Sequence, residues 1–138
     1  MVIDPNMEIV LRLVLAAVFG AIVGYEREKK KMSAGLRTHM LVCVGAALIT
    51  LTSLLAFKGG DPARVAAGIV TGIGFLGAGA IIHERGKVMG ITTAADIWVI
   101  AGVGLALGAG FYLGAVTTLV LLVIIMYYMK KFEIKNVR

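Results

Sequence analysis

Asp96 is the strongest candidate in the sequence for a chemical role, because it is the one acidic residue in the long apolar stretch from residue 92 to residue 129. A carboxylate inside a membrane helix normally faces protein or water and pairs with a cation. Thr92 and Thr93 precede Asp96 by four and three residues, so a helix would place their hydroxyls beside it. Arg27 and Arg37 are the candidate cations, and we expect an Asp96–Arg37 contact.

Two groups of polar residues are expected at the ends of the predicted helices. The inner polar network, towards the cytoplasm, comprises Glu26, Arg27, Arg37, Thr38, His39, Thr92, Thr93 and Asp96. Such a network either ties helices together or senses a cation or a proton. The outer polar layer comprises Arg12, Asp61 and Arg64. Taken singly, most of these residues also fit simple roles as interface anchors, and Asp61 fits a helix N-cap that can pair with Arg64.

Gly72, Gly74 and Gly77 spell the G-x-G-x-x-G pattern of dinucleotide sites, but they lie inside an uninterrupted apolar run. That pattern requires a preceding strand and a helix N-terminus, so helix packing is the favoured interpretation. The two histidines lack the spacing of a helical zinc site, and Cys43 is the only cysteine. With no nucleophile and base in a catalytic pattern, we expect neither an enzyme nor a cofactor. Magnesium binding stays open, because Mg²⁺ usually needs only one or two carboxylates plus water.

The composition predicts a membrane protein. Of 138 residues, 59% are hydrophobic and 16% are charged, and the mean hydropathy is +0.94. Globular chains carry about 25% charged residues, so this chain is too apolar for water. The net charge of +6 first reports membrane topology, since no basic stretch is interleaved with aromatic residues as in nucleic-acid binders. Membrane lipid is therefore an expected partner, and nucleic acid is not.

Apolar runs predict an all-α bundle of five transmembrane helices in a single domain spanning residues 1–138. The helices are expected at about 9–25, 39–57, 65–82, 92–107 and 111–129, with a polar loop between the third and fourth. Helix packing is assigned to the glycines Gly20, Gly24, Gly68, Gly72, Gly74, Gly77 and Gly79, because small residues let membrane helices approach closely. Five of them lie in the third helix, which is therefore expected to be central.

The charges predict the orientation of the bundle. If the first loop is cytoplasmic, eleven basic residues lie inside, against Lys58 and Arg64 outside and Arg12 near the outer end of the first helix. An excess of Lys and Arg marks the cytoplasmic side, so the N-terminus is expected outside and the C-terminus inside.

Four motifs occur in a characteristic order. They are G-A-I-V-G-Y-E-R-E at 20–28, G-L-R-T-H at 35–39, D-P-A-R-V-A-A-G-I-V-T-G-I-G-F-L-G-A-G-A-I-I at 61–82 and G-I-T-T-A-A-D-I-W at 90–98. With these motifs the chain closely resembles the membrane domain of the MgtC/SapB family over nearly its whole length. Many members add a cytoplasmic C-terminal ACT-like domain, and this sequence ends at Arg138, so nothing attributed to that domain is carried over.

The resemblance implies a multi-pass protein of the bacterial cytoplasmic (inner) membrane, connected with magnesium limitation and virulence. It implies a regulator of another membrane protein, for which the F-type ATP synthase is the partner associated with the name-giving members. The alternative is a small transporter or channel for Mg²⁺ or H⁺. Two small-xxx-small pairs, Gly20 with Gly24 and Gly68 with Gly72, also lead us to expect a homo-oligomer, most simply a homodimer. The opposing interpretation is that these glycines pack only within one chain.

Overall fold

The computed structural model describes residues 4–57, 59–84 and 87–129, and these form five helices and one hairpin. The helices are α1 (Pro5–Lys29), α2 (Leu36–Leu55), α3 (Pro62–Gly79), α4 (Ile91–Gly108) and α5 (Tyr112–Ile124), and α5 continues as a π-helical segment, Ile125–Met129. The predicted number of helices is confirmed. Lys58, Arg85 and the basic residues after Met129, which entered the prediction of orientation, lie outside the described residues.

Three helices begin where a carboxylate satisfies a free backbone N–H group. Asp4 accepts from Asn6 N at 2.8 Å before Pro5, and Asp61 accepts from Ala63 N at 2.9 Å before Pro62. Proline suits the first helical position because its missing N–H group is not needed there. At α2 the carboxylate comes from α1, since Glu28 Oε2 accepts from Leu36 N at 2.8 Å. The expected role of Asp61 as an N-cap is confirmed.

A hairpin replaces the polar loop predicted between the third and fourth helices. Strands β1 (Ile82–Glu84) and β2 (Lys87–Met89) pair antiparallel, with Ile82 opposite Met89. Gly90 then leads into α4 with φ +88°, a backbone conformation that residues with a Cβ rarely adopt. The carbonyl of Ala80 lies where a Cβ of residue 90 would be, so this glycine is needed both for its φ and for the close approach.

Helix α4 is the centre of the bundle, and the prediction that the third helix is central was wrong. α4 packs against all four other helices and buries nine residues, whereas α3 packs mainly on α4 and buries only Ile69 and Gly77. Four glycines of α3, namely Gly68, Gly72, Gly74 and Gly79, have no neighbouring atom within 4 Å of an added Cβ. The glycines of α3 thus face mainly outward.

Glycines bring α2 close to α1 and α4. A Cβ added to Gly20 of α1 would lie 2.6 Å from the carbonyl oxygen of His39, and one added to Gly24 would lie 2.7 Å from Leu36 Cα. On α4, a Cβ added to Gly108 would lie 2.5 Å from the carbonyl oxygen of Ala47, and Gly104 meets the carbonyl of Cys43 in the same way. Such approaches allow extensive backbone packing, which drives helix association in lipid.

Four helices, α1 to α4, are long and apolar enough to cross a membrane, and α5 is a shorter apolar helix. Buried residues of α2 and α4 form the middle of the core, including Val42, Ala46, Ile97 and Ile100. Many large apolar side chains face outward, as expected when lipid is the surrounding solvent.

Candidate functional site

The inner polar network centres on a buried ion pair between α1 and α4. Arg27 Nη2 contacts Asp96 Oδ2, and the two side chains are only 6% and 4% exposed. Arg27 lies in the last turn of α1, and Asp96 lies in the second turn of α4, so the pair joins the C-terminal end of α1 to the N-terminal end of α4. A buried carboxylate is expected to have such a cation partner, because an unpaired buried charge is strongly unfavourable.

The expected Asp96–Arg37 contact was wrong, because Arg27 takes that place and Arg37 is exposed. Arg37 lies in the first turn of α2. Thr38 and Thr92 are also exposed, so neither contributes a buried hydroxyl beside Asp96. The rotation of each helix about its own axis decides which of these side chains are buried. The sequence does not reveal that rotation, because it shows only that the polar residues share one predicted depth.

His39 and Thr93 complete the buried part of the network, since both are fully buried. His39 Nδ1 lies 2.8 Å from the carbonyl oxygen of Gly35, which can only accept, so Nδ1 carries the proton. His39 Nε2 and Thr93 Oγ1 have no hydrogen-bond partner within the described part of the chain. Buried polar atoms are nearly always paired, so each of these is an unused hydrogen-bonding group.

Glu26 belongs to a separate contact on α1. It forms an ion pair with Lys30, one helical turn later, and both side chains are partly exposed. Pairs at this spacing stabilise helices by about 0.2–0.5 kcal/mol, so the contact is mainly local. The predicted network therefore divides into the Arg27–Asp96 pair, the buried His39 and Thr93, and the Glu26–Lys30 pair.

In the outer polar layer, Arg12 joins α1 to the turn between α4 and α5. It forms an ion pair with Glu8 and donates to the Gly108 carbonyl oxygen at 2.7 Å and to Tyr112 Oη at 3.2 Å. Its guanidinium also lies 5.8 Å from the centre of the Tyr112 ring. Glu8 and Tyr112 were missed by the sequence analysis, although the four-residue spacing of Glu8 and Arg12 was a usable signal.

Asp61 and Arg64 do not form the expected pair among the described contacts. The Asp61 side chain accepts from the backbone at the start of α3, and Arg64 is exposed. The outer polar layer is therefore a clamp centred on Arg12 together with a separate helix cap.

An apolar groove runs between α2 and α3. Its volume is about 550 Å³, and Gly45, Gly68 and Gly72 line it together with Leu41, Ile69 and other apolar residues. A Cβ at any of these three glycines would meet nothing within 4 Å. Of the predicted packing glycines, Gly20 and Gly24 are thus used inside the chain, and Gly68 and Gly72 face open space. A Cβ added to Gly77 would lie 3.5 Å from the carbonyl oxygen of Ala94, which is an ordinary van der Waals contact.

The part of the chain that the structure describes offers no cluster of metal ligands. No group of three or more His, Cys, Asp or Glu residues there lies close enough to hold an ion. Asp96 is already neutralised by Arg27.

The chain matches the MgtC family model over residues 13–135. It is 41% identical, over 94% of its length, to YhiD of Escherichia coli strain K12, which is provisionally named a magnesium transporter. It is 42% identical, over 82% of its length, to the protein MgtC of Salmonella typhimurium strain LT2. It spans 65% of the first relative and 48% of the second. No solved protein structure matches it.

The family match thus covers α1 from Leu13 onward and all of α2 to α5, and it includes Arg27, His39, Thr93 and Asp96. Together with the four long apolar helices, it establishes that this chain is a membrane protein of the MgtC family.

Proposed function

We propose that this chain is a multi-pass protein of the bacterial cytoplasmic membrane that regulates another membrane protein by direct helix contact. The groove between α2 and α3 carries this proposal. The chain uses glycines for close contact at Gly20 and Gly104, and it presents the same kind of surface, unoccupied by its own helices, at Gly68 and Gly72. Small residues at a lipid-facing groove let a further helix approach closely.

The occupant we propose is a transmembrane helix of a partner protein. The groove is apolar along its lining and lies beside two helices that are long enough to cross a membrane, so a helix fits better than a soluble peptide. By family resemblance, the F-type ATP synthase is the partner to test first. On the same resemblance we propose that this chain is connected with magnesium limitation and virulence. A second copy of this chain is the competing occupant and would give the homodimer.

Transport of Mg²⁺ or H⁺ is the second candidate function, supported by the provisional name of YhiD. The apolar middle of the bundle argues against transport. Between Asp96 at the inner side and Thr50 towards the outer side, the buried residues of α2 and α4 are apolar or small, such as Val42, Ala46 and Ile100. A path for an ion would need polar groups or water at that depth.

The groove is tested by a photo-crosslinking amino acid at Leu41, which lines the groove and is 72% exposed. Leu113 on α5, 77% exposed, is the control position. We expect a crosslink from position 41 to a membrane subunit of the ATP synthase, and none from position 113. Gly72→Leu should abolish it by filling the groove, whereas Gly74→Leu, on the same helix but outside the groove, should not. A product of twice the chain mass instead identifies the homodimer.

The choice between regulation and transport is tested with the purified chain in proteoliposomes. Regulation predicts Mg²⁺ uptake no faster than in empty liposomes, together with loss of growth at low magnesium for Gly72→Leu but not for Gly74→Leu. Uptake above empty liposomes would establish transport and remove the regulator as the primary function.

A further inference from the structure

A second pocket lies at the inner ends of the helices, away from the groove between α2 and α3. Its volume is about 290 Å³. It is lined by residues 31–33 of the loop between α1 and α2, by Ala80 at the end of α3, and by Met89, Gly90 and Thr93 at the start of α4. None of these residues is acidic. In the orientation predicted from the charges, this pocket lies at the cytoplasmic boundary of the membrane, where lipid headgroups and cytoplasmic solutes can both reach it.

The start of α4 supplies backbone donors to this pocket. The N-cap is Gly90, and no side chain caps the helix. The first N–H groups of a helix have no partner within the helix and carry a partial positive charge, which makes them suited to bind phosphate. At α2 and α3 the carboxylates of Glu28 and Asp61 already occupy the equivalent position.

The Thr93 hydroxyl is a further hydrogen-bond donor, and it points independently to a ligand in this pocket. Its residue is fully buried, it lines the pocket, and its hydroxyl has no partner within the described residues. A buried hydroxyl without a partner is unfavourable, and an acceptor in the pocket would remove that cost. Thr93 lies in the first turn of α4, where its hydroxyl and the free N–H groups can serve the same anion.

Lys31 supplies the positive charge. It is exposed, lines the pocket and has φ +53°, so the loop turns sharply at this residue. Ser33 Oγ donates to the Ala80 carbonyl oxygen at 3.4 Å, which links the loop to the end of α3. The pocket therefore combines a flexible ammonium group, a hydroxyl and a helix N-terminus, a set of groups that binds phosphate oxygens.

We propose that this pocket binds a phosphate group, carried either by an anionic phospholipid or by a small phosphorylated solute. The apolar side of the pocket, formed by Met32, Ala80 and Met89, suits the acyl chains of a lipid, while the polar side suits the phosphate. The site goes beyond the proposed partner contact and does not depend on it, because the two surfaces share no residue.

The test measures the affinity of the purified chain in neutral detergent for two probes, dioctanoyl phosphatidylglycerol and inorganic phosphate. Thr93→Val keeps the side-chain shape and removes the hydroxyl. Lys31→Asn removes the charge at a φ that asparagine tolerates. The matched controls are Thr92→Val and Lys29→Asn, two exposed residues that do not line the pocket.

We expect each pocket variant to weaken binding about tenfold, as for one lost hydrogen bond to a charged group, and each control to change it less than about twofold. Loss confined to phosphatidylglycerol identifies the lipid as the source, and loss for inorganic phosphate identifies the solute. Thr93→Val without ligand should unfold no more easily than the parent chain, because it removes an unpaired hydroxyl. If Thr93→Val does not fold, the Lys31→Asn and Lys29→Asn pair decides. Equal affinities for pocket and control variants with both probes would overturn the proposal.

Discussion

Removing the charge from one side of the Arg27–Asp96 pair should destabilise the bundle. Both side chains are almost fully buried, so Asp96→Asn leaves Arg27 as a buried cation without a counter-charge. In soluble proteins, breaking such a pair costs about 3–5 kcal/mol. Asp96 lies five residues into α4, about 7.5 Å from its start, where water at the interface reduces the penalty. We therefore expect a loss of about 2–3 kcal/mol for Asp96→Asn, and a similar loss for Arg27→Gln.

A double-mutant cycle separates the pair from other effects. The double variant should lose less stability than the sum of the single variants, with a coupling of about 1–3 kcal/mol, because neither charge is then left alone. Unfolding in mixed micelles with increasing dodecyl sulfate is followed by the fluorescence of Trp98, the only tryptophan. Arg37→Gln is the control and should change stability by less than about 0.5 kcal/mol, since Arg37 is exposed. Additive losses from the two single variants would refute the reasoning.

The same variant separates a structural role of Asp96 from a sensing role. A structural role predicts that Asp96→Asn lowers the abundance of the protein in the membrane. A sensing role predicts normal abundance with lost growth at low magnesium. Normal abundance and normal growth would exclude Asp96 from both roles.

Two further predictions concern packing and orientation. Gly104→Ala should destabilise the bundle by about 1–3 kcal/mol, because its Cβ meets the Cys43 carbonyl. The control Gly102→Ala meets nothing within 4 Å and should leave the stability unchanged. Equal unfolding of the two variants in dodecyl sulfate would contradict the close α2–α4 contact. Cysteines placed at the exposed positions Asp61 and Met89 should be labelled from opposite sides of the membrane, with buried Cys43 as a low background, and labelling of both from the outside would contradict the predicted orientation.

The number of helices followed from the sequence because the lengths of the apolar runs, compared with the thickness of a bilayer, indicate how many helices they can hold. The sequence predicted less well which helix is central and which glycines contact a neighbouring helix. Glycines in α3 look the same in the sequence whether they face a neighbouring helix or lipid, and Gly68 and Gly72 face outward while Gly104 and Gly108 hold α2 against α4. The hairpin escaped prediction because strands of three residues give no alternation to recognise.

The sequence analysis named the buried residues of the candidate site, but it also named exposed residues, and it did not predict which residues pair. Asp96 stood out because a carboxylate in an apolar helix needs a cation, and Arg27 was one of two candidates. The choice between Arg27 and Arg37 depends on how far each helix is rotated about its axis. The apolar sequence of a membrane helix reveals little of that rotation, because the lipid-facing and core-facing sides are both apolar. For the same reason Thr93 and Thr92 could not be told apart, although one is buried and the other exposed.

The Arg27–Asp96 pair also has a consequence for how the protein is made. A ribosome delivers α1 to the membrane before α4 exists, so Arg27 enters without its counter-charge and can remain at the headgroups through its long side chain. Meanwhile α1 and α2 can associate through the backbone contacts at Gly20 and Gly24, which need no later segment. Only when Asp96 has been synthesised can Arg27 leave the headgroups and enter the bundle. The pair therefore makes insertion of α4 the step that neutralises Arg27, before α5 packs against α4, and a nascent chain stalled before that step would carry an arginine without its counter-charge.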